Sequence, residues 1–190
     1  MKFSNIAQMK KLQRGATIVE MIVVLAIIGI LYGVGSYGWQ LLQSSKATGD
    51  TKLMDIAMEC ARTTYTNESN YSAATIVSLA NNNCFPDSLV TNKGTTTASV
   101  SNKYGSAISA IPVNLYGVSD GLEFSESGVP SNVCIERLKG VTRPVIVKVT
   151  PAAGAEVVVM ALGANRPNMT LATACGVGTT AMIKQTISKN

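Results

Sequence analysis

The sequence predicts an α+β fold: a long N-terminal helix packed on an antiparallel sheet of about four to five strands. Three observations carry this. From Met21 to Leu42 no side chain is charged. Directly after it, Leu53, Ile56, Ala57, Cys60, Ala61 and Thr64 recur at helical spacing, with Lys52, Asp55, Glu59 and Arg62 between them. Further on, the stretches VIVKV (from Val145) and EVVVM (from Glu156) are rich in β-branched residues, the composition of strands.

In chain order, the apolar run at 16–42 is long enough for a membrane-spanning helix of about 20 residues. Residues 43–67 continue it as an amphipathic helix whose apolar stripe faces a sheet. Residues 67–107 are rich in turn chemistry, with Asn81-Asn82-Asn83, Lys93-Gly94 and a Thr/Ser run at 95–99; a short helix fits Ser72–Ala80. Strands are predicted at Ser109–Val118, Gly121–Ser125, Pro144–Thr150, Glu156–Leu162 and Thr180–Ser188. A short helix fits Ser131–Lys139, with Ser131 as its cap.

Charge and composition exclude several function classes. The net charge is +5. Lys2, Lys10, Lys11 and Arg14 supply four positives within the first 15 residues, which hold no acid. Beyond Gly15 the balance is twelve basic against eleven acidic, without the clustered basic face that nucleic-acid binding requires. There is no histidine, which removes His-based triads and most zinc sites. No P-loop, GxSxG or metal motif occurs, and neither a cofactor nor a resident metal is expected. Asp120, Glu123 and Glu126 lie beside glycines and read as a solvated turn, since acids are mostly exposed. Cys60, Cys84, Cys134 and Cys175 are widely spaced and even in number, the pattern of disulfides formed outside the cytosol. Spacing leaves all three pairings open.

The N-terminal stretch, KKLQRG followed by ATIVEMIVVLAIIGILYGVG, admits three readings. A secretory signal peptide cut near Gly33-Val34-Gly35 would place Glu20 inside its apolar core and leave Gly15 without a role. A plain membrane helix tolerates Glu20: the acid costs about 2.5–3.5 kcal/mol, and each Ile, Val or Leu returns about 0.3–0.6. Residues 18–32 hold ten of these. That reading tolerates the acid without explaining it, and an acid within a membrane is by default functional.

The third reading explains both oddities. Lys10, Lys11, Arg14, Gly15, Ala16, Glu20 and the apolar run to Leu42 resemble the type IV pilin family closely: a basic leader ending in Gly, a cut directly after it, and a Glu at the fifth position of the new chain. The stretch VVLAIIGIL from Val23 to Leu31 also follows the family's wording. The close resemblance covers about residues 10–40. It implies that residues 1–15 are a leader, that an inner-membrane prepilin peptidase cuts between Gly15 and Ala16, and that the same enzyme methylates the new amine. Residues 16–42 are then membrane anchor and filament core, and 43–190 a globular domain. Glycine suits the junction because an unbranched backbone fits a tight protease cleft. Glu20 neutralises the new amine, its own or a neighbour's, since a buried charge requires a partner. The first residue of the mature chain, Ala16, stands where the commoner subgroup has Phe, and with the 15-residue leader this resembles the type IVb subgroup.

The resemblance further implies a disulfide-closed C-terminal region, 134–175, hence Cys134–Cys175 and with it Cys60–Cys84. The function implied is structural: a subunit that leaves the inner membrane to form an extracellular pilus for adhesion, aggregation or conjugative mating contact. Its partners are copies of itself, the peptidase and the inner-membrane assembly machinery. A minor pilin or a secretion pseudopilin shares the N-terminal signal. A membrane-tethered enzyme lacks support in the absence of His and of any nucleophile motif.

Overall fold

The structure is a computed structural model that describes residues 18–141, 144–163, 171–176 and 178–189. The chain divides into two compact units, residues 1–41 and 42–190. Helix α1 spans Ile18–Thr64. The second unit adds α2 (Ile76–Asn81), β1 (Val90–Thr91), β2 (Ser99–Ser101), β3 (Ala107–Val113), β4 (Gly121–Pro130), α3 (Ser131–Lys139), β5 (Ile146–Pro151), β6 (Val157–Met160), α4 (Leu171–Cys175) and β7 (Thr180–Ser188). The fold is α+β with a seven-stranded antiparallel sheet, ordered β1-β2-β3-β4-β7-β5-β6.

Two strands exceed the predicted four to five because β1 and β2 are only two and three residues long and lie within turn chemistry. Such lengths carry no readable alternation. The short helix near 72–80 begins later, at Ile76. Thr75 caps it: its hydroxyl accepts from the Ser78 N–H, and the Ser78 hydroxyl accepts from the Thr75 N–H. Helix α3 has the predicted bounds but not the predicted cap. Pro130 holds the N-cap position, with no side-chain cap bond, and Ser131 is the first helical residue. Proline favours such a helix entry because it has no N–H to leave unpaired.

The stripe that α1 buries is rotated from the predicted one. Met54, Ala57, Met58 and Ala61 are at most 2% exposed, whereas Ile56 is 65% exposed. Residues 54, 57, 58 and 61 follow the i, i+3, i+4, i+7 rule. Ile56 lies about 200° around the helix from Met54 at 3.6 residues per turn. The long, unbranched methionines fill the gap over the sheet, and the alanines let the backbone approach it.

The core falls into two clusters. One joins α1 and α2 to β2, β3 and the first half of β4, around Phe124, Leu122 and Ile187. The other joins α3 and α4 to β5, β6 and β7, around Leu138, Val147 and Ile183. On β4, buried Glu126 lies between Phe124 of the first cluster and Val129 of the second; on β7, buried Gln185 lies between Ile187 and Ile183. The register shifts between Glu126 and Val129, which pair with Ile183 and Ala181. This bulge contains Gly128 at φ +68°. It lets both Glu126 and Val129 point inward.

Candidate functional site

The junction Gly15 and Ala16 lies outside the described residues. Glu20 is in α1. Following it, every residue from Met21 to Leu31 is exposed, and none is polar. The large side chains here are 51–67% exposed. Apolar surface on all sides of a helix far exceeds the scattered exposure normal for a soluble surface, and such a helix is one made to be covered. Among the described residues no helix is long and apolar enough to cross a membrane. The side chains described in the apolar run are those of Val19 and residues 21–31, fewer than the roughly 20 a span requires.

In the second unit the four cysteines form Cys60–Cys84 and Cys134–Cys175. The first ties α1 to the segment behind α2. The second ties α3 to the end of α4, and both its sulfurs are fully buried. Helix α4 was not foreseen; its five residues carry Cys175 into the core. Among the described residues no group of three or more His, Cys, Asp or Glu side chains is placed to hold a metal.

The acids at 120, 123 and 126 do not form a solvated turn. All three are buried, and each serves a different structural bond. Asp120 Oδ1 accepts from the Leu115 N–H at 2.7 Å, and Oδ2 accepts from Tyr116 at 2.8 Å and Gly117 at 2.9 Å. These N–H groups hold its carboxyl below the ordinary carboxylate range, Leu115 contributing most. Glu123 lies 3.9 Å from Lys148. Glu126 accepts from buried Arg137. The sequence signal for this was available: within α3, Arg137 follows Val133 and Cys134 at helical spacing on the buried face.

The polar layer between the two core clusters continues to α1. Tyr104 donates its hydroxyl to Asp50 at 2.6 Å, and Lys103 pairs with the same carboxylate at 2.8 Å. Burial, reinforced by the bond to Asp50, pushes the Tyr104 phenol above its usual range. On the other face of the sheet, Lys184 pairs with Glu156. That bond lowers the carboxyl and raises the ammonium.

Loop 114–120, between β3 and β4, is pinned from within and from outside. Besides the Asp120 bonds, the Ser119 N–H donates to Asn114 Oδ1 at 2.8 Å, and the Tyr71 N–H donates to the Ser119 carbonyl at 2.7 Å. Ser119 sits at φ +55°, a strained value for a residue with a side chain. Leu115 packs over Gly121, where a Cβ would come within 2.8 Å of it. At its tip, Tyr116 is 68% and Val118 77% exposed. On α1, a separate groove of about 470 Å³ is lined by Asp55, Ile56, Glu59, Cys60, Thr63 and Thr64.

Comparison with known families gives two matches. A family model described as PilS N terminal matches residues 44–188, and one described as a prokaryotic N-terminal methylation motif matches residues 10–33. Comparison with curated proteins gives no match.

Proposed function

Since this chain belongs to the PilS N-terminal family and is a type IV prepilin, we propose that it is the structural subunit of a type IVb pilus, processed between Gly15 and Ala16 and polymerised through its N-terminal helix. The observation that carries the reading is the methylation motif at residues 10–33, which encloses Gly15, Ala16 and Glu20. Residues 16–42 anchor the subunit in the inner membrane. On assembly the same surface exchanges lipid for copies of itself, which accounts for a helix apolar on every side. Glu20 neutralises the methylated amine of Ala16 and sets subunit register, because an unpaired charge in an apolar setting is costly.

The pilus serves adhesion, aggregation or conjugative contact, and the chain has no catalytic role. The disulfide loop 134–175 braces the half of the domain built on α3 and α4. Two disulfides fit folding outside the cytosol, after export across the inner membrane. The test is the intact mass and N-terminal sequence of the protein in sheared surface filaments. A chain beginning at methylated Ala16 is expected; one beginning at Ser36 would establish the signal-peptide reading.

A further inference from the structure

Among the exposed apolar features of the globular unit are a knob and a groove. The knob is the tip of loop 114–120. An exposed tyrosine and valine on a slack loop would be unremarked surface. This loop is held by four N–H bonds to Asp120 and Asn114, a strained Ser119 and a backbone bond to Tyr71. Its conformation is therefore set before any partner arrives, which lowers the entropic cost of binding. The groove lies on the exposed face of α1, with Ile56, Asp55 and Glu59 among its lining residues. Within one subunit the two do not meet: Ile56, Tyr116 and Val118 all remain at least 65% exposed.

We infer that in the filament the Tyr116–Val118 knob of one subunit seats in the Ile56 groove of another copy of this chain. The occupant is a second copy for two reasons. First, a polymer that does not close needs two different, complementary patches on each subunit, whereas a two-fold dimer uses one patch twice. The knob and the groove are two such patches, on different elements. Second, their chemistry matches. A tyrosine ring covers the Ile56 side chain while its hydroxyl faces acceptors, and the groove lining includes the carboxylates of Asp55 and Glu59, which have acceptor sites beyond the interactions they already make. The knob brings no opposing acid, because Asp120 is buried beneath its N–H donors. A contact this small adds little area beside the apolar helix, so its contribution is register. The inference rests on the polymer reading proposed above.

The test places the photo-reactive p-benzoylphenylalanine at Tyr116 in the full chain, expressed with its peptidase and assembly machinery. Filaments grown from mixed light and heavy-isotope subunits are irradiated and digested. Mixed-label crosslinks to the tryptic peptide Leu53–Arg62, which contains Ile56 and Glu59, are the expected result. Alongside, Ile56→Asp should reduce filament yield about tenfold, the effect of a 1.4 kcal/mol loss at a contact, with the subunit pool unchanged. The same change at Ile111, exposed on β3, should reduce it far less. Filaments whose crosslinks map to another segment, or join Tyr116 regions to each other, overturn the inference and leave the polymer reading standing. If the unsubstituted chain enters no filament, the polymer reading fails and this inference with it.

Discussion

Arg137 Nη1 lies 2.5 Å from Glu126 Oε2, and both side chains are almost wholly shut off from solvent, at 1% and 4% exposure. Neither core cluster contains them; they form the polar layer between the two. Arg137 Nε and Gln185 Oε1 are also buried there without a partner. Removing one member of such a pair leaves an uncompensated charge, at a cost of about 3–5 kcal/mol. Arg137→Met should therefore lower the melting temperature on the order of 10 °C. Adding Glu126→Leu to it should recover part of the loss. A double variant less stable than either single one would show the layer to be held by something other than this pair.

Asp120 gives the domain an acid-sensitive loop. Its carboxyl is lowered in the folded state, so its contribution is complete above the unfolded-state value of about 3.9 and is lost as pH falls through the lower folded value. Asp120→Asn should be destabilised at pH 7, because its amide turns a donor toward the N–H groups of Tyr116 and Gly117 or of Leu115. Urea midpoints of the variant and the parent should converge as pH falls below 4. Curves that stay parallel would remove Asp120 from the acid response.

Gly128→Ala should destabilise by about 1–3 kcal/mol, the range for a strained backbone position. The glycine sits at φ +68°, and a Cβ there would overlap the Ser106 hydroxyl. Ser106→Gly in the same chain should relieve the overlap and leave the φ strain, so partial rescue is expected in thermal melts.

The disulfides close loops of different length, with separations of 24 and 41 residues. Chain entropy predicts about 3.5 kcal/mol for Cys60–Cys84 and about 4 kcal/mol for Cys134–Cys175. Either loss is large against the 5–15 kcal/mol typical of a domain. Cys134→Ser should reduce subunit yield more than Cys84→Ser. Peptide mapping without reductant checks the pairing itself: a Cys60 peptide linked to Cys134 or Cys175 would contradict it.

Glu20→Ala should leave the subunit inserted and cleaved but unable to build filaments. Removing an acid makes insertion easier, so the loss cannot be assigned to the membrane step. Glu20→Asp should be intermediate, since the charge remains with a shorter reach. Normal piliation by Glu20→Ala would rule out the charge-pairing role.

Where physical signals were long and periodic, they were legible. The bounds of α3 and β7 read from sequence are those of the structure, and the β5 and β6 cores contain the β-branched runs. Short elements were not: β1, β2 and α4 hold two, three and five residues. The buried face of α1 was misplaced because Ile56 outranks Met54 in hydrophobicity, while the fit to the sheet selects Met54. The acids at 120, 123 and 126 were read as solvated because two of them find partners on other elements, Arg137 on α3 and Lys148 on β5, and Asp120 binds main-chain N–H groups of its own loop, which carry no residue signature.

The strand order has a consequence for how the subunit is made. Strand β7 comes last of the seven along the chain, yet it fills the centre of the sheet between β4 and β5. Until it arrives the sheet is in two parts, a four-strand piece and a two-strand hairpin, each with an extra edge left open, β4 on one and β5 on the other. In a polypeptide emerging N-terminus first, this domain thus stays unfinished until residues 180–188 slot into the waiting gap. β7 acts as a keystone: chains cut short before it display two sticky edges to proteases and chaperones, and only whole ones become closed blocks fit for building.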